Sequence, residues 1–187
     1  MTRSFGPARL AALVYVSVIG IVVGVALVAG AALDRQTVDD FRRVPFPQLP
    51  MTIGEAASIW MHNGRILLAA IGAAVAVNAP WLATTVASQP QVGRDWRATR
   101  ALCDAAIVVA AGRNLVTVGV GLAVWRDRML LAILPHGLVE LAAFACGLAL
   151  YLRARRGPVA RPVWVQLIAM GVVLLALASL LEVFVVL

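Results

Sequence analysis

The sequence predicts an all-α fold: a polytopic membrane helix bundle of about five transmembrane helices, with interrupted third and fourth spans. Three observations predict it. Of the 187 residues, 62% are apolar and the mean hydropathy is +0.92, against about 45–50% apolar in soluble domains. A chain of this length cannot hide such an excess inside one globule, because small domains keep a large surface. The apolar residues gather in five runs, each matching the roughly 20 residues that a helix needs to cross the hydrocarbon core. All 16 basic residues are arginines. They lie in short clusters between the runs, as at membrane flanks and not as on a nucleic-acid-binding surface.

The whole chain, 1–187, reads as a single integral membrane domain. The first span, about 10–33, carries no charge before Asp34 and holds a Gly20-x-x-x-Gly24 step. That spacing lets backbones approach closely, and packing within the chain is its expected use. An outer loop with an interfacial segment follows over 34–62. Asp34 to Pro50 contains Pro45, Pro47 and Pro50 and reads as non-helical. Met51 to His62 reads as a short interfacial helix, with Trp60 at headgroup level.

The second span, about 66–87, meets Asn78 and Pro80, which predict a kink. Gln89 to Arg100 is a polar connector. The third span, about 101–125, is expected to break at Gly112-Arg113-Asn114. The fourth, about 129–152, begins after the Arg126-Asp127-Arg128 turn and is interrupted at Pro135-His136-Gly137. The fifth covers about 163–187. Cys103 and Cys146, isolated in apolar runs, read as small buried hydrophobes.

Arginine distribution sets the expected orientation. With the N-terminus cytoplasmic, the inner segments hold nine arginines and the outer segments five, with Arg65 and Arg113 in or at spans. That bias favours a cytoplasmic N-terminus and an outer C-terminus. A re-entrant third run would place the Arg153–Arg161 cluster outside, which the same rule disfavours. Trp60, Trp96, Trp125 and Trp164 fall near span ends, and Trp81 does not.

Ionisable groups inside spans are costly and usually face a partner or a water-filled cavity. Arg65, Arg113, His136, Glu140 and Glu182 fall in the middle or outer half, and Asp104 near the inner face. His136 and Glu140 are four residues apart and share one helical face. The reading is a buried polar cluster of Asn63, Arg65, Arg113, Asn114, His136, Gly137, Glu140 and Glu182, in which two arginines balance two glutamates. It is roofed from outside by the segment bearing His62 and Asn63. Mutual pairing that locks the bundle is the plainest use of such a cluster. A pocket for a ligand, lipid or proton is the alternative.

Catalytic signatures are absent. HxxxE supplies two candidate metal ligands, with His62 a distant third, and no HExxH, paired-cysteine, Walker A or GxSxG motif occurs. No metal, no cofactor and no catalytic residue is therefore expected, an intramembrane metalloenzyme being the least favoured reading.

From Leu131 to Leu148 the chain reads LAILPHGLVELAAFACGL. Pro135, His136, Gly137 and Glu140 make a Pro-His-Gly-x-x-Glu sequence, followed by a small-residue helix. This resembles the hallmark of the stage II sporulation protein M family. Ile59 to Arg65, with His62 and Asn63, resembles that family's Asn-containing entry to a span. Gly112, Arg113, Asn114 and Gly119 resemble its Asn/Gly-bearing middle span. The likeness runs from about Ile53 to Arg153.

The resemblance implies a non-enzymatic component or scaffold of a multi-protein complex in the bacterial inner membrane, linked to the cell envelope or peptidoglycan remodelling. Its partners would be the lipid bilayer, other membrane or envelope proteins and a further copy of the chain, with no nucleic acid. The alternative, from the residues alone, is a transport or lipid-handling subunit that uses the buried Arg/His/Glu cluster.

Overall fold

A computed structural model describes residues 6–42, 52–83 and 92–185, all of them in helices or the turns between helices. Among the described residues seven helices are formed: α1 (Pro7–Ala32), α2 (Arg35–Arg42), α3 (Ile53–Ala83), α4 (Val92–Trp125), α5 (Asp127–Ile133), α6 (Gly137–Ala154) and α7 (Arg161–Phe184). Five of them, α1, α3, α4, α6 and α7, are long and apolar enough to cross a membrane. The protein is an all-α membrane helix bundle.

Successive long helices alternate in direction. The Trp96 indole N–H at the start of α4 donates to the Val77 carbonyl near the end of α3 (3.3 Å). The Val159 N–H, ahead of α7, donates to Asn78 Oδ1 (3.3 Å). Leu10 and Ala11 of α1 pack with Tyr151 and Ala154 from the end of α6. These contacts define the end of the bundle where α1 starts. At the other end, a Cβ on Gly30 of α1 would lie 3.9 Å from Ala123 of α4. α4 therefore runs from one end of the bundle to the other, and α7 finishes at the end opposite to the start of α1.

Small residues explain why α6 lies at the centre. Half of its residues are buried, among them Gly137, Ala143, Ala145, Gly147 and Ala149. Between membrane helices close packing replaces the hydrophobic driving force, so a face without bulky side chains attracts neighbours on several sides. A Cβ on Gly147 would stand 2.9 Å from Leu67 Cδ1 and 3.1 Å from Ala70 Cβ of α3. The outward faces of α1 and α4 present large apolar side chains such as Val16, Leu27, Leu102 and Val109, as a lipid-facing surface does.

The helix boundaries depart from expectation in several places, each for a local reason. Asp34 caps α2: the Thr37 N–H donates to Asp34 Oδ1 (2.7 Å) and the Thr37 hydroxyl to Oδ2 (2.9 Å). These bonds hold the Asp34 carboxyl below its usual range. The prolines expected to prevent a helix begin only at Pro45, so Arg35–Arg42 is free to coil. Pro45, Pro47 and Pro50 lie outside the described residues, as does Trp81's side chain.

The expected interfacial helix over Met51–His62 is not separate. Ile53–His62 forms the first turns of α3, where the Glu55 N–H donates to the Thr52 hydroxyl (3.1 Å), a threonine side-chain cap on the helix start. The same helix continues through Asn78 and Pro80 to Ala83. Asn78 is buried, and its carbonyl is satisfied by Val159. From Val92 onward, the expected Gln89–Arg100 connector is likewise the first turns of α4.

The break expected at Gly112–Asn114 is absent, and α4 is helical across it. No proline removes a backbone donor there, and the polar side chains turn back on their own helix. Asn114 Nδ2 donates to the Ala110 carbonyl (3.2 Å) and the Thr117 hydroxyl to the Arg113 carbonyl (2.9 Å).

The fourth span is interrupted as expected. Pro135 lacks an N–H and stops α5 before it. His136 then becomes the N-cap residue of α6, with the Glu140 N–H donating to its carbonyl (2.9 Å). A side chain at Gly137 would strike Ile133, so the two helices meet there at the closest approach glycine allows. Among the described residues, Gly20 and Gly24 have no packing partner. A Cβ on either would meet no described atom within 4 Å, and α1 instead uses Val25 against Gly119 of α4.

Candidate functional site

A cavity of about 320 Å³ lies within the bundle, between α3, α4, α5, α6 and the end of α7. It falls at the small end of the roughly 300–1,000 Å³ range of small-molecule pockets. Most of its wall is apolar, with Ala70, Ile107, Phe144 and Leu148 among the lining side chains. Its polar lining consists of Asn63, Asn114, His136, Glu140 and Glu182.

Three elements deliver the ionisable groups. The helix break places His136 at the head of α6, and one turn later Glu140 faces the same way. Glu182 arrives from the last turns of α7, which runs opposite to α6. One donor atom from each of the three residues lies within 4.8 Å of the other two. His136 Nε2 is 4.0 Å from Glu182 Oε2, with side-chain exposures of 12% and 23%. That separation is too long for a hydrogen bond. The second imidazole nitrogen, Nδ1, is buried and has no partner among the described residues.

Six of the eight residues expected to form the cluster line the cavity: Asn63, Asn114, His136, Gly137, Glu140 and Glu182. Arg65 and Arg113 do not. Both side chains are exposed, and neither lines the cavity. Helical geometry is the reason. Consecutive residues differ by about 100° around the axis. With Asn63 and Ile66 turned inward Arg65 points elsewhere, and with Ala110, Ala111 and Asn114 inward Arg113 does too. The expected balance of two arginines against two glutamates is thus not built at this site. His62 is also exposed and does not roof it.

Asp104, expected to stand apart, belongs to a second polar cluster at the other end of the bundle. The Tyr151 hydroxyl donates to Asp104 Oδ1 (2.5 Å) and Arg155 Nη2 donates to Oδ2 (2.8 Å). Arg100, whose guanidinium carbon lies 5.1 Å from the Trp96 ring centroid, adds positive charge nearby. Sequence reading did not bring Tyr151 and Arg155 to Asp104. The spacing of Tyr151 and Arg155, four residues on one helix face, was a visible signal, but nothing local points it at α4.

In comparisons with known proteins, no family model, no curated protein and no solved structure matches this chain.

The arrangement permits two kinds of chemistry. The apolar wall suits the hydrocarbon part of an amphiphile, and the carboxamides and carboxylates suit its headgroup. Two carboxylates and an imidazole that converge without bonding one another also form a donor set for a cation.

Proposed function

We propose that this protein is a non-enzymatic, multi-pass membrane subunit that binds a lipid or similar amphiphile in its intramembrane cavity. One observation carries the reading: the cavity combines a mostly apolar wall with polar groups from α3, α4, α6 and α7. A cluster serving only to lock helices together would close on itself through hydrogen bonds, as Asp104, Tyr151 and Arg155 do. His136, Glu140 and Glu182 surround open space instead.

The complex-subunit reading has its own support in Arg113. It lies 12 residues before Trp125 on a span-length helix, about 18 Å deep at 1.5 Å per residue. There it is exposed between Val109 and Val116, which are also exposed. A lipid-facing arginine at that depth costs about 2.5–3.5 kcal/mol on insertion scales. An acidic group on a partner helix offsets that cost. The resemblance of Pro135-His136-Gly137-x-x-Glu140 to the stage II sporulation protein M hallmark supports the same reading. It suggests an envelope scaffold in a bacterial inner membrane, and the arginine bias of the sequence supports a cytoplasmic N-terminus.

One preparation tests both. The full chain is purified in mild detergent, and bound lipids and proteins are identified by mass spectrometry. The cavity reading expects a bound amphiphile that Ala111→Phe, which fills the cavity from α4, removes while helicity is kept. An equal amount of amphiphile in the folded variant refutes it. The partner reading expects a co-purifying membrane protein that Arg113→Leu releases. A partner retained by that variant refutes the role of Arg113.

A further inference from the structure

We infer that His136, Glu140 and Glu182 form a binding site for a single divalent transition-metal ion of the zinc class. Glu182, not His62, is the third ligand that sequence spacing alone did not supply. The inference deepens the cavity reading, because the ion would occupy the polar end of the same cavity, but it stands on the side-chain geometry of the three residues.

Zinc binds imidazole nitrogen and carboxylate oxygen at about 2.0–2.2 Å, so tetrahedral ligand atoms stand about 3.4 Å apart. The three donor atoms here are already within 4.8 Å of one another, with His136 Nε2 and Glu182 Oε2 at 4.0 Å. Closing the remaining gap takes side-chain movement of about 1 Å, less than a change of rotamer. The three residues come from a helix start, its first turn and the end of a neighbouring helix, so no ligand depends on a long loop. They line the cavity together with Asn63 and Asn114. A fourth position is therefore open to a carboxamide oxygen, water or a ligand headgroup, as in zinc sites with three protein ligands.

Electrostatics favours a cation over mutual pairing. Among the described residues no arginine lines the cavity. Carboxylates held away from water need a partner charge or a strong hydrogen bond. His136 and Glu182 are too far apart to give one another that bond, and the imidazole Nδ1 is unpartnered. A divalent ion satisfies all three side chains at once. One nitrogen and two carboxylates select a first-row ion over magnesium or calcium, which take all-oxygen shells. Within that series zinc binds more tightly than manganese. A bound ion would also cancel the charge of the two carboxylates at the polar end of the cavity, and its open position could take an oxygen of a phosphate or carboxylate headgroup.

The test uses the full chain in mild detergent, carried on a tag without histidine and stripped with chelator. Zinc chloride is titrated by calorimetry, and metal content is measured after dialysis. The expected result is one zinc per chain, with Glu182→Gln and Glu140→Gln each weakening binding about tenfold or more. Both changes keep side-chain size, and circular dichroism and melting temperature report whether each variant is folded. Zinc is also expected to raise the melting temperature of the wild type and not of Glu182→Gln, a readout that does not depend on stoichiometry. Asp104→Asn, at the opposite end, should bind zinc as the wild type does. No saturable binding by the wild type, or binding by both glutamine variants as tight as that of the wild type, overturns the inference. Zinc binding by Ala111→Phe after its amphiphile is lost would support the metal site separately from the amphiphile. Loss of zinc binding in the glutamine variants without change in bound amphiphile would show that the headgroup does not need the ion.

Discussion

Leu67 is held between two glycines, and that arrangement makes a quantitative prediction about how the central helix packs. A Cβ added at Gly147 of α6 would lie 2.9 Å from Leu67 Cδ1 and 3.1 Å from Ala70 Cβ. The Leu67 side chain cannot simply swing away. It is 3% exposed, and its two methyl carbons already stand 3.2 and 3.3 Å from where a Cβ on Gly171 of α7 would be. A shift off Gly147 therefore loosens or crowds the contact with α7. Gly147→Ala should cost about 1–3 kcal/mol, the usual range for overpacking a filled core. Leu67→Ala should cost about 2–5 kcal/mol by leaving a cavity.

The decisive quantity is the coupling between them. Removing Leu67's methyl groups removes the nearer of the two clashes, while Ala70 remains at 3.1 Å. The double variant should therefore be less destabilised than the sum of the single variants by about 1 kcal/mol, within the range seen for residues in contact. Reversible unfolding in mixed micelles, followed by circular dichroism as sodium dodecyl sulfate is raised, measures all three variants. If Gly147→Ala is as stable as the wild type, or its effect adds to that of Leu67→Ala without coupling, the close α3–α6 approach is not what holds this face together.

Two further predictions concern the ends of the bundle. Asp104→Asn should lower stability by about 1–2 kcal/mol in the same unfolding assay, because a charged acceptor of bonds from Tyr151 and Arg155 is lost at a site 35% exposed. Its effect should overlap with that of Tyr151→Phe, and fully additive losses would show that the three groups do not act together. Arg126 has φ 48° and ψ −118° between α4 and α5, a conformation that favours glycine. Arg126→Gly should therefore raise stability by about 1 kcal/mol, and a lower melting temperature would show that the arginine side chain contributes more than its backbone costs.

The sequence by itself determined the solvent and the class of fold. Sixty-two per cent apolar residues in five span-length runs have no soluble solution, and the five long helices of the structure follow those runs. The break at Pro135 was legible because a proline removes a backbone donor, although α3 accommodates Pro80 close to its end. The false break at Gly112–Asn114 was not, because a glycine or asparagine ends a helix only if its surroundings offer something better. Here Asn114 finds its acceptor one turn back on the same helix.

The pairing of His136 with Glu140 was equally legible, since four residues on one helix fix which side chains are neighbours. Tertiary structure alone decided the rest. Which flank of α3 and α4 turns inward separated Asn63 and Asn114 from Arg65 and Arg113, residues adjacent or nearly so in sequence. The antiparallel packing of α7 against α6 brought Glu182 to His136 across 46 residues of chain. Rotation about a helix axis and the meeting of distant helices depend on how all the faces pack at once. Local pattern therefore identified the polar residues without showing which of them would share a cavity.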